Sequence, residues 1–194
     1  MRPRLPFLLV GFAAVALVAA GVGAAAFAGT GFGPVAFSVN GHQVSQSTVN
    51  DDLKAFAASK GFGGSAASAR AGSIDNKYTR YLLNLRIASL AAEEELADRG
   101  ESVTAADRSS ATKTIDSAGR DLFAPRARRL LIELDRPLSA LSRVLGGDQA
   151  LNDELTTALR KAHVKVDQRY GVWNRAGAQV CPPTGCVSIQ GSSG

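Results

Sequence analysis

Among the first fifty residues only Arg2 and Arg4 carry a formal charge, and the next Asp, Glu, Lys or Arg is Asp51. As a helix rising about 1.5 Å per residue, the apolar core from Phe7 to Ala28 would extend roughly 33 Å, enough to cross a bilayer. A basic start followed by such a run leaves the rest of the chain outside the cytosol. Two readings fit residues 1–28. As a secretory signal, the segment has a basic n-region, an apolar h-region and small-residue cleavage sites at Ala24-Ala25-Ala26 and Ala26-Phe27-Ala28. As an uncleaved anchor, it has an apolar run longer than most h-regions.

About 166 residues remain beyond this segment, a length that forms one domain around one core. Their formal charge is about +3, after removal of Arg2 and Arg4 from a total of +5. That is too mild to imply a nucleic-acid partner. The two cysteines, Cys181 and Cys186, enclose Pro-Pro-Thr-Gly, a turn-forming sequence, in a chain expected outside the cytosol. They read as a local disulfide, with free thiols or redox work as alternatives. Neither they nor His42 and His163 have metal-ligand spacing, so no metal or cofactor is expected.

Past a Gly-rich spacer at 29–34, Ala36 to Val44 alternate apolar and polar residues around Asn40-Gly41, the signature of a type I′ hairpin. Ser45 is placed to cap a helix carrying Val49, Leu53, Phe56 and Ala57 on one face and stopping near Gly61, with Val44 and Val49 as a hydrophobic staple. Residues 61–72 are a Gly/Ser/Ala loop. Its Gly61-Phe62-Gly63-Gly64-Ser65 lacks the Lys-Ser/Thr pair of a phosphate cradle. Ser73 opens a long helix, with Asp75 favourably placed near its start, and Ile74, Tyr78, Tyr81, Leu82, Leu85, Ala88, Ala92 and Leu96 form one apolar stripe. Arg99 and Gly100 close it.

Thr104 with Asp107 forms a capping box for a short helix ending by Gly119. Residues 120–147 read as two short helices broken at Pro137, with Pro125 near the start of the first. Asp148 caps a last helix carrying Leu151, Leu155 and Leu159. Val164-Lys165-Val166 then alternates as a strand that pairs with the early hairpin. The expected fold is mainly α, a helical domain over 35–174 with a small sheet, followed by an irregular tail at 175–194.

The run from Phe37 to Ser45 and the helix to Phe56 resemble the opening of the N-terminal chaperone domain of SurA and PrsA-type extracytoplasmic foldases. The helix to Arg99 resembles that family's long second helix, and Val103 to Asp107 the start of the next. Leu159 to Val166 is similar to the family's terminal helix and returning strand, and Asp167 to Trp173 to a closing segment of its actinobacterial members. The resemblance implies an extracytoplasmic protein that binds unfolded or nascent secreted polypeptides. Only about 45 residues separate Thr104 from Asp148, so a parvulin-type prolyl isomerase domain of about 90 residues does not fit, and the isomerase activity is not carried over.

The side chains also read as those of a non-enzyme: neither histidine accompanies a nucleophile motif, and Glu93-Glu94-Glu95 reads as a solvated face. Candidate peptide-binding residues are Phe56, Tyr78, Tyr81, Leu82 and Leu85, in a groove or, alternatively, in plain core. The cluster Arg120, Arg126, Arg128, Arg129, Arg136 and Arg143 either meets anionic headgroups beside an anchored N-terminus or pairs with Glu133 and Asp135 on a solvated face. Tyr170 and Trp173 either close the core or touch a client. The alternative function is an envelope adaptor that binds one folded partner or the membrane surface.

Overall fold

The computed structural model describes residues 33–60, 76–184 and 186. The readings made for residues 1–28, most of the 29–34 spacer, the 61–72 loop, the helix opening at Ser73 and the end of the tail lie outside the described residues. Among the described residues, no helix is long and apolar enough to cross a membrane.

Asn40 and Gly41 take φ of 47° and 93°, left-handed backbone that the Asn-Gly pair tolerates, and they turn β1 (Val35–Val39) into β2 (His42–Ser45). The strand β3 (Val164–Val166) returns antiparallel on the free side of β1, giving the order β2-β1-β3 with Phe37 opposite Val166 and Val39 opposite Val164. An irregularity between Val35 and Phe37 lets Ala36, Phe37 and Val39 all be buried. The two ends of the domain therefore share one sheet, as the sequence pattern implied.

Ser45 caps α1 (Gln46–Ala57), its hydroxyl accepting from the Thr48 amide at 3.2 Å, and Val44 and Val49 are both buried. The long α2 (Asn76–Asp98) follows, then α3 (Ala105–Ser117), which opens on the Thr104–Asp107 capping box. A single 3₁₀ turn at Arg120–Leu122 leads to α4 (Pro125–Leu145).

That helix corrects the expectation of two pieces, because it runs unbroken through Pro137. Proline removes the bond to the Glu133 carbonyl and costs about 3 kcal/mol in a helix interior. Buried Leu131 and Leu134 before Pro137, and Leu138 and Leu141 after it, hold both halves against the core, at about 2 kcal/mol or more for each side chain. The packing outweighs the break.

α5 (Asp148–Lys161) is capped by Gly147 rather than by Asp148, whose carboxylate instead accepts from the Ser142 hydroxyl at 2.8 Å. The segment after β3 is also more ordered than an irregular tail. β4 (Val172–Asn174) and β5 (Gln179–Cys181) form a second hairpin, held to α2 where the Val180 amide donates to Asn84 Oδ1 at 2.7 Å. Gly171 has φ 138°, and a Cβ there would strike the Cys181 carbonyl. Cys181 and Cys186 are joined as a disulfide, with Cα atoms 5.1 Å apart.

Candidate functional site

The stripe proposed for peptide binding lies inside the molecule. Phe56 and Leu82 are fully buried and Tyr78 and Leu85 nearly so, while Tyr81 stays partly exposed and meets Phe56 edge to face with ring centroids 6.4 Å apart. The amphipathic α4 packs along α2 and joins these residues in one core cluster. In this conformation the five residues are packing, and the groove reading would require the helices to part.

Polar groups are set into the same helix seams. Arg86 on α2, buried, donates through Nε to Asp52 on α1 at 2.6 Å. Burial of the Tyr81 hydroxyl and the nearby Asp135 push its pKa up to about 12. Glu93 was expected on a solvated face with Glu94 and Glu95. It is partly buried instead, and burial raises its pKa to about 7 against the opposing pull of Arg136. Arg136 is 3% exposed, pairs with Glu133, and has Nε and Nη2 buried without a hydrogen bond among the described residues. Desolvation and the neighbouring Arg108 lower its pKa. Glu94 and Glu95 are also half-buried, with Asn40 Nδ2 donating to Glu94 at 2.6 Å and Arg99 joining Glu95 to Glu154.

The arginine cluster divides along α4. Arg143 reaches Asp107 at 3.0 Å, and although burial pushes the Asp107 carboxyl up, the bonds from Arg143 and Thr104 hold it below the usual range. Arg128 forks onto Asp116 at 2.6 and 2.8 Å and ties α4 to α3. Arg136 belongs to the seam just described. Arg120, Arg126 and Arg129 remain exposed, with no hydrogen bond or ion pair among the described residues.

Among the described residues, a cleft lies beside those last arginines. It measures about 830 Å³ and separates the end of α1 from the start of α4. Ser59, buried just past α1, accepts from the Ala124 amide at 2.9 Å and donates to the Ala55 carbonyl at 3.3 Å, fixing the two sides of the cleft together. Gly119 starts the 3₁₀ turn that presents Arg120, Phe123 leaves it in extended conformation, and Pro125 begins α4 where its missing N–H costs nothing. Ala58, Phe123, Ala124 and Pro125 supply apolar wall, while Lys60, Arg120, Arg129 and the Asp116-paired Arg128 supply positive charge, with Asp121 the one acid among the described lining residues. The arginine run signalled part of this site; Lys60 and Phe123 were missed because they reach it from separate turns.

A smaller cleft of about 170 Å³ lies between α2 and α5, where Asn40, Glu94 and Lys161 meet. The His163 amide donates to Asn40 Oδ1 there at 2.7 Å, so this is the joint that seats the hairpin tip. His42 is exposed, its Nε2 3.7 Å from Glu94, and His163 is exposed at the end of α5. Tyr170 and Trp173 pack partly buried against the core. Among the described residues, no group of three or more His, Cys, Asp or Glu side chains could hold a metal ion. No family model, curated protein or solved structure matches this chain.

Proposed function

We propose that this chain works outside the cytosol as a non-catalytic, chaperone-like protein of the SurA/PrsA kind, without a parvulin domain, binding unfolded or nascent secreted polypeptides. The observation that carries the reading is the cleft between α1 and α4, whose apolar wall and open basic rim suit an extended segment better than a small uncharged substrate. The shared sheet β2-β1-β3 supports it, because it gives the chain order that the resemblance implies. Each 100 Å² of client apolar surface covered would contribute about 2.5 kcal/mol before ordering costs, so a few anchored side chains give weak, reversible holding. Residues 1–28 would direct the protein to the membrane and, if retained, keep it there.

A second reading, an envelope adaptor for one folded partner, is favoured by the burial of Phe56, Tyr78, Leu82 and Leu85, which leaves less apolar surface for many clients. Client breadth separates the two. Light scattering of two unrelated denatured proteins, with the full chain at stoichiometric ratio and an inert protein as control, should show both aggregations suppressed. Suppression should weaken in a folded Phe123→Ser variant. Failure on both proteins moves the assignment to the adaptor.

A further inference from the structure

Resting on that polypeptide-binding reading, we propose that the cleft between α1 and α4 selects acidic segments, seating an apolar side chain against Phe123 and Pro125 and taking flanking carboxylates on Lys60, Arg120 and Arg129. Further along α4 the arginines already have carboxylate partners, Arg136 in Glu133 and Arg143 in Asp107, and Arg128 at the cleft is committed to Asp116. Lys60, Arg120 and Arg129 are exposed around one opening and make no ion pair of that kind among the described residues, although Arg120 also acts on Asp116 through space. Asp121 is the one acid among the described residues of its wall. Like charges gathered around a concave, partly apolar surface repel one another, and an incoming anion relieves that repulsion. Guanidinium groups fit carboxylates with two parallel hydrogen bonds, so the arginines add orientation as well as attraction.

The placement of the cleft favours a polypeptide over a bilayer as the source of that anion. The Gln46 amide donates to the Pro34 carbonyl at 2.9 Å, so the chain coming from the N-terminal segment enters beside the start of α1. The cleft lies past the other end of that helix, about 18 Å away at about 1.5 Å per residue. Its wall of Phe123, Ala124, Pro125 and Ala58 offers an apolar contact that a phosphate ion alone would not use.

The test is fluorescence anisotropy with the full chain in phosphatidylcholine nanodiscs and three labelled twelve-residue peptides of matched apolar content, bearing Glu, Lys or Gln at the flanking positions. The Glu peptide should bind about tenfold or more tighter than the Lys peptide, and its affinity should fall with added salt. An Arg120→Glu/Arg129→Glu variant, shown folded by circular dichroism, should lose that advantage and turn toward the Lys peptide. Lys60→Gln should give a smaller loss in the same direction. Equal binding of all three peptides, unchanged in the double variant, would overturn the charge selection and leave polypeptide binding standing. No binding of any peptide would sink both. Displacement of the Glu peptide by phosphatidylglycerol vesicles, but not by phosphatidylcholine vesicles or millimolar inorganic phosphate, would assign the rim to a membrane and overturn the proposal.

Discussion

Glu93→Gln should make the protein more resistant to unfolding at pH 8 than the wild type, and the difference should shrink at pH 5. Glu93 goes from an ordinary 4.5 to about 7 on folding, chiefly because the α2–α4 seam desolvates it. Between these values the folded state holds a proton that the unfolded state has released, so stability falls as pH rises across that window. Taken at full weight, the rise from 4.5 to about 7 corresponds to about 3 kcal/mol. Glu93 remains partly open to water, so screening reduces this to roughly 1–2 kcal/mol. Glutamine keeps the shape and cannot ionise. For a domain of this size the gain at pH 8 is about 2–8 °C in melting temperature. The assay is thermal or urea unfolding of both proteins at pH 5 and pH 8, where the difference between them isolates this group from every other titration. Equal stability at pH 8, or a variant that is weaker there, would refute the claim that burial dominates over Arg136 at this position.

Leu82→Ala, at a fully buried site, should cost about 3 kcal/mol in urea unfolding, whereas a residue lining an open groove would cost within about 0.5 kcal/mol. Gly171→Ala should destabilise the second hairpin by about 1–3 kcal/mol, read from Trp173 fluorescence, since φ 138° and the Cys181 carbonyl both oppose a side chain there; an unchanged emission midpoint would contradict that contact. Replacing Cys181 and Cys186 together by serine should lower stability by about 2 kcal/mol at most and leave the far-ultraviolet dichroism intact, because the loop they close is short; global unfolding would show that the bridge holds more than the tail.

Local chemistry was legible wherever a few neighbouring residues decide the backbone. Asn40-Gly41, the Ser45 cap and the Thr104–Asp107 box all stand as their residue types dictate, since each depends on groups three or four positions apart. The late strand was legible too, through its period and the need of β1 for a second neighbour. What escaped depended on distant partners. Pro137 stays helical because leucines on both sides of it face one core, and β5 is docked by Asn84, which lies 96 residues earlier. Glu93 shares a run with Glu94 and Glu95 but sits against Arg136, a neighbour that only the fold supplies.

The candidate site divides in the same way. Periodicity identified Phe56, Tyr78, Tyr81, Leu82 and Leu85 as one surface, yet whether that surface is open depends on α4, which covers it. The concentration of arginines was visible as composition, but their separation into paired and unpaired members depends on Asp107, Asp116 and Glu133. In sequence Phe123 reads with Leu122, Leu130, Leu131 and Leu134 as part of a short apolar helix, whereas it leaves a 3₁₀ turn in extended backbone and lines the cleft.

The central claim, that polypeptide chains bind in the cleft between α1 and α4, is tested most directly by photo-crosslinking. A benzophenone side chain placed at Phe123 or at Lys60 of the full chain, and at exposed Ser110 on α3 as the control, would be irradiated with each of two unrelated denatured polypeptides. The account predicts adducts from both cleft positions with both polypeptides, and few from Ser110. Adducts no more frequent at the cleft than at Ser110 would contradict it.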